Sequence, residues 1–305
     1  ESVPVHEPAP SRHPGWRELG FSLKRLFRNP LTIIGLAIIL FFVFLAVFAP
    51  WLAPPPRPHD PFLMPHDGWS MDPSPPSAAH PLGTLPSQYD ILYGVIWGTR
   101  NAFRIGLAVV AANLVMGLVL GAIAGYFGGL VDEIIMRAND IVLSIPWLVL
   151  MIIVAAMLGT IDLLGLILII GFTGWSPTAR MVRAQVLSIR ERQYIERARA
   201  IGSSDLGIIR RHVLPNSFPL VFANTILTVA VSILSEATLS FLGMRPVGIV
   251  TWGTMLDYAA DANAFSIGLH WWIIAPGLCI VAVVLGFTLL GYALDDILNP
   301  KLRKR

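Results

Sequence analysis

Six long apolar runs divide this chain, and runs of that length leave a polypeptide few ways to fold. The hydrocarbon core of a bilayer is about 30 Å thick and takes roughly 20 apolar residues in helical form. Inside it each backbone N–H and C=O needs a partner within the protein, which favours helices. The runs cover residues 31–49, 102–126, 134–159, 163–175, 218–242 and 270–294. The fourth is short and must borrow from 176–181 to cross. Pro146 and Pro276 fall inside runs and predict kinks. Only 13% of the residues are charged, where a soluble domain carries about 25%, so most of the surface must meet lipid. The first run is too long and too far along the chain for a signal-peptide core. The expected fold class is an all-α integral membrane protein with six transmembrane helices.

Orientation follows from the loop cations. With six spans both ends of the sequence share a side, and that side receives Arg12, Arg17, Lys24, Arg25, Arg28, Arg137, the eight arginines between 180 and 211, Lys301, Arg303, Lys304 and Arg305. The other receives Arg57, Arg100, Arg104 and Arg245, which makes the division 18 against 4. The richer side is expected to be cytoplasmic, in a bacterial-type inner or plasma membrane. The organisation is then a cytoplasmic segment 1–30, a first span 31–49 and an extracytoplasmic loop 50–101. A five-helix core 102–294 follows, with a cytoplasmic loop 176–216, and a basic tail 295–305. A net charge of +3 divided by side in this way gives no nucleic-acid surface. The Pro-rich loop after 50, and the segment 243–269 with Trp252, Asp257 and Asp261, either dock an extracellular partner or simply connect spans.

The loop 176–216 is too long for a plain connection. Ser176 and Pro177 suit a helix start, running towards Ala200, and Gly202 stops it. Ser203, Ser204 and Asp205 are start residues for a second helix. Leu206, Ile209 and Val213 form one apolar stripe on it, and Pro215 ends it before the next span. Two short helices at a glycine hinge make a knob suited to a partner's groove.

Residues 194–216, YIERARAIGSSDLGIIRRHVLPN, resemble the "EAA" loop of ABC importer permeases: Glu196, Ala198, Gly202, Leu214 and Pro215 match, while Arg197 and His212 depart from the pattern. GYFGGLVDEIIMRANDIVLSIP (125–146), SEATLSFLG (235–243) with Trp252-Gly253, and HPLGT (80–84) are similar to the dipeptide/oligopeptide (peptide/nickel) group, C-type. After HPLGT the group's Gly-Arg-Asp sequence is missing and only Asp90 remains. The resemblance implies a type I importer permease fold and a path shared with a second homologous permease. It also implies two ATPase subunits that bind ATP and Mg, and an extracytoplasmic binding protein. The cargo it implies is di- or oligopeptides, with nickel or oligosaccharides as alternatives. By resemblance 203–214 is the coupling helix, flanked by Glu196 and Arg199.

The three lysines, Lys24, Lys301 and Lys304, never follow a glycine, so this sequence holds no GxxxxGK[ST] phosphate loop. No catalytic constellation is evident, no cofactor is expected on this chain, and the seven histidines lack ligand spacing, so no metal site is expected. Cys279 reads as a packing residue. Ionisable groups in spans are costly and usually functional. Asp140 and Glu236, with neutral Asn113 and Asn224, are therefore the candidates to line a path. For Asp140 a structural pairing with Arg137, three residues earlier, competes with that role, and for Glu236 anchoring the loop after it does. Gly117, Gly121 and Gly125 form a ladder that permits close helix packing. An ion-coupled transporter would call for inverted repeats, and none is evident.

Overall fold

The computed structural model describes residues 29–57, 64–68 and 72–298; most of the expected cytoplasmic segment 1–30 and the last seven residues of the expected tail 295–305 lie outside them. Helix α1 (Pro30–Leu52) starts on Asn29, whose side chain accepts from the Leu31 N–H, with Pro30 at the first helical position. Helix α2 (Ile91–Phe127) is capped by Asp90. Its 37 residues come to about 55 Å at helical rise, nearly twice a bilayer core. It begins well before 102, because Ile91, Tyr93, Val95, Ile96 and Trp97 bury against the chain's own cap rather than against lipid.

Helices α3 (Gly129–Ser144) and α4 (Trp147–Leu158) meet at 91° around Pro146, so the expected kink is a full break. Helices α5 (Leu163–Gly174) and α6 (Ser176–Arg190) meet at 44°. Helix α6 does not project as a loop. It lies along the inner glycines of α2, where a Cβ on Gly117, Gly121 or Gly125 would strike Thr178, Ala179, Val182 or Val186. The ladder is thus a packing seam, as its spacing predicts, and the short fourth run continues through α6. Next come α7 (Gln193–Ala200), the short α8 (Asp205–Ile208), a π turn (Ile209–Val213) and α9 (Leu214–Phe241). Last are α10 (Trp252–Asp261) and α11 (His270–Leu298), which passes through Pro276 unbroken.

Helices α1, α2, the stretch Asp205–Phe241 and α11 are each long and apolar enough to cross a membrane, and the two bent pairs make six. The described residues contain no strand, only two isolated bridges, His66 with Tyr89 and Thr84 with Asp90. Those bridges belong to a cap at the amino-terminal end of α2. Indole N–H groups tie this cap end to the spans: Trp97 donates to the Ala53 carbonyl at 2.9 Å and Trp252 to that of Val95 at 3.1 Å. The opposite, loop end holds a separate apolar cluster that includes Tyr126, Val182, Ile195, Ile208 and Val213.

Candidate coupling site and path residues

The loop end is built around residues 193–213. Helix α7 closes in a Schellman arrangement: the Ser203 N–H reaches the Ala198 carbonyl at 3.0 Å and the Gly202 N–H reaches that of Arg199 at 2.9 Å. Gly202 lies at φ +80° with nothing within 4 Å of where a Cβ would stand, so backbone conformation alone calls for glycine. The Ser204 hydroxyl then accepts from the Gly207 N–H at 3.2 Å and starts α8. The break foreseen at Gly202 is present. A second one at Glu191–Arg192 separates α6 from α7, so the helix begun at Ser176 does not run on to Ala200.

Two readings of the second helix need correction. Pro215 does not end it: the chain continues from Asp205 to Phe241, with Pro215 in the first turn of α9. A proline ring clashes with the carbonyl four residues earlier, and the wider π turn just before it accommodates that ring. The same turn shifts the helical phase, so Leu206 leaves the stripe. Ile208 and Val213 are fully buried and Ile209 partly so, whereas Leu206 is 74% exposed. Across the hinge Ile201 is 83% exposed. The tip therefore carries two bare aliphatic side chains among the exposed Glu196, Arg197, Arg199, Ser203, Ser204 and Asp205. Ala198 packs inward, and Leu214 is half-buried against the same cluster.

The residue that seats this tip went unnoticed in the sequence. The Tyr126 hydroxyl, at the end of the glycine ladder, donates to Asp205 Oδ1 at 2.6 Å, and the Arg199 guanidinium lies 5.3 Å from its ring. Arg190 donates to the Tyr126 carbonyl at 3.1 Å. An aromatic ring closing a glycine seam was the available signal. His212, a departure from the family pattern, packs against the Tyr194 ring at 5.9 Å. Helix α3 pins α6 from the side: Arg183 binds both oxygens of Asp132 at 2.5 Å and Asn139 donates to the Ser176 carbonyl at 3.0 Å.

Asp140 is ion-paired as expected, but with Arg180 at 2.6 Å and not with Arg137, whose own partner is Glu133 at 3.9 Å. The bend at 174–176 lays α6 beside α3 and brings Arg180 within reach. A path shared between two subunits would be lined by residues that one chain leaves open. Asp140 is exposed and Asn224 half-buried. Asn113 and Glu236 are enclosed, Glu236 at 1% exposure with the Ser240 hydroxyl donating to it at 2.8 Å. Of the cap-end acids, Asp257 pairs with Arg245 at 2.6 Å and Asp261 is exposed, while Trp252 is buried against the Phe42 ring. Among the described residues no group of three His, Cys, Asp or Glu side chains is placed to hold a metal.

Known proteins share this architecture. A family model described as binding-protein-dependent transport system inner membrane component matches residues 117–304, and one described as the N-terminal TM domain of oligopeptide transport permease C matches 21–76. The dipeptide transport system permease protein DppC of Alkalihalophilus pseudofirmus is 34% identical over 289 residues, covering 94% of this chain and 90% of the relative. The oligopeptide transport system permease protein OppC of Bacillus subtilis is 32% identical over 290 residues, covering 95% and 90%. The probable D,D-dipeptide transport system permease protein DdpC of Escherichia coli is 35% identical over 274 residues, covering 90% and 88%. A chain of the MetNI methionine ABC transporter in inward-facing conformations superposes with a TM-score of 0.54 at 20% identity, covering 68% of this chain and 96% of that one, and so shares the fold. With six candidate spans, a glycine-hinged loop carried on them, and these matches along most of its length, the chain belongs to the binding-protein-dependent transport system inner membrane component family, as a C-type permease of the dipeptide/oligopeptide group.

Proposed function

We propose that this chain is one of two permease subunits of an ATP-driven importer of di- and oligopeptides. The loop end faces the cytoplasm, with both ends of the sequence, and the cap end faces outward, in keeping with the 18-to-4 division of cations. The observation that carries the reading is the tip of the loop. Ile201 and Leu206 stand bare beside a rigid glycine hinge, on a chain that has no Gly-Lys phosphate loop of its own. Two ATPase subunits would bind ATP and Mg, receive this tip in a groove, and move it when they close. This chain would transmit that movement without hydrolysing ATP. A second homologous permease completes the path, with Asp140 and Asn224 keeping the surface access that lining it requires. A binding protein delivers cargo at the cap end. Peptide cargo is supported by the names of the relatives, which carry dipeptides or oligopeptides.

The test is uptake into liposomes that hold both permeases and both ATPase subunits, with binding protein outside. Labelled di- and tripeptides should accumulate only with ATP at the loop-end face, and neither nickel ion nor a trisaccharide should compete. Accumulation without nucleotide would exclude the ATP-driven reading, and ATP-driven uptake of nickel ion or the trisaccharide with no uptake of labelled peptide would exclude peptide as the cargo.

A further inference from the structure

At the cap end a cavity of about 740 Å³ opens between the cap and the 245–262 stretch. This lies within the roughly 300–1,000 Å³ usual for small-ligand sites. Met64, Leu85 and Tyr89 line it from the cap, Ile249 and Tyr258 from the 245–262 stretch, and Trp272 from α11. Two charges of opposite sign, Arg245 and Asp261, share the lining. Arg245 is held in place: its Nη1 lies 2.6 Å from Asp257 Oδ2 and 3.9 Å from Asp261 Oδ2, and its guanidinium stacks 4.6 Å from the Tyr258 ring. Those ion pairs use one nitrogen of a five-donor fork, so Nη2 and Nε remain for a guest. Asp257 is nearly buried, which makes it the structural partner, whereas Asp261 is 71% exposed and open to a guest.

A short peptide carries a carboxylate and an ammonium at neutral pH, its ends titrating near 3.5 and about 8. We propose that this cavity is a holding site for a short zwitterionic peptide between the binding protein and the path. The peptide's carboxylate lies on Arg245, its ammonium on Asp261, and its side chains against Met64, Tyr89 and Trp272. The inference rests on the peptide-importer reading and adds to it a discriminating site on this subunit, one that reads free termini.

The assembled permease–ATPase complex, in nanodiscs without binding protein, is titrated calorimetrically with alanyl-phenylalanine, its N-acetyl form and its C-terminal amide. Saturable binding of the free dipeptide is expected, with either blocked form weaker by roughly tenfold or more, the usual worth of a charge-assisted bond. Asp261→Asn should weaken the free dipeptide by a similar factor and leave the N-acetyl form unchanged. Ile249→Trp should abolish binding by filling the cavity. Arg245→Gln alone strips buried Asp257 of its cation, so Arg245→Gln with Asp257→Asn is the informative pair, and it should equalise the free acid and the amide. Absent binding, equal binding of free and blocked forms, or an unaffected Asp261→Asn would each overturn the proposal. Uptake with binding protein separates the two levels. Peptide uptake without nanodisc binding removes only the holding site, and no uptake removes the peptide reading beneath it.

Discussion

Gly202 has open space around it and still admits no ordinary side chain cheaply, because the whole constraint is its φ of +80°. A left-handed conformation costs an L-residue about 1–2 kcal/mol, and Asn bears it better than Ala or Val. Peptide uptake per ATP hydrolysed is expected to fall in the order Gly, Asn, Ala, Val, with Gly202→Val lower by roughly tenfold as that strain displaces the loop. Equal coupling in all four variants would mean that the hinge angle does not matter. This glycine was legible in the sequence because the start residues of the next helix follow it directly. Tyr126 was not, since its partner Asp205 lies 79 positions away and only the folded chain brings the two together. Leu206 was placed on the wrong face because an i, i+3, i+7 pattern presumes an unbroken α-helix, and a π turn inside the segment breaks that phase.

Among the elements, the cap shows how a segment of low apolar content is held. His80 Nδ1 lies 2.8 Å from Asp90 and Nε2 lies 3.2 Å from Asp67, and only an imidazolium can donate to both. Asp90 also accepts the Tyr93 N–H at the start of α2, so the clasp joins the cap to that span. The hydrogen bond to Asp90 is the main cause of a His80 pKa raised above the ordinary 6.5, with burial opposing it. A raised pKa stabilises the folded form fully below the unfolded value and loses that contribution as pH climbs through the folded one. Amide exchange of residues 81–93, corrected for the intrinsic effect of pH, should therefore show protection falling as pH rises above the ordinary imidazole value of 6.5. In His80→Gln the corrected profile should be flat, and matching profiles in the two proteins would show that the clasp adds nothing. Sequence marked HPLGT and Asp90 but not their contact, which depends on the chain turning back through Gly83. The helix breaks were partly legible. Pro146 announced one, while at 174–176 the sequence showed a helix start, Ser176 with Pro177, on a run expected to continue to 181, but not the 44° bend between the two pieces.

For the whole molecule, the spans were readable from apolar length, which a bilayer imposes: four long helices and two bent pairs fall on the six apolar runs. What the sequence did not carry was how the bent pairs nest: the second half of one lies in the glycine seam of α2, pinned by α3, and the loop extends from that frame. On the proposed function, a frame so braced would carry motion from tip to spans as one body. This is tested most directly at the two bare aliphatic side chains, whose replacement leaves the buried cluster untouched. The permease pair is purified with its ATPase subunits as wild type and as Ile201→Asp with Leu206→Asp, and the ATPase retained is quantified beside the thermal stability of the permease. The account predicts that the double variant loses nearly all the bound ATPase while melting at the wild-type temperature. Full retention of ATPase, with ATP-driven uptake intact, would contradict it.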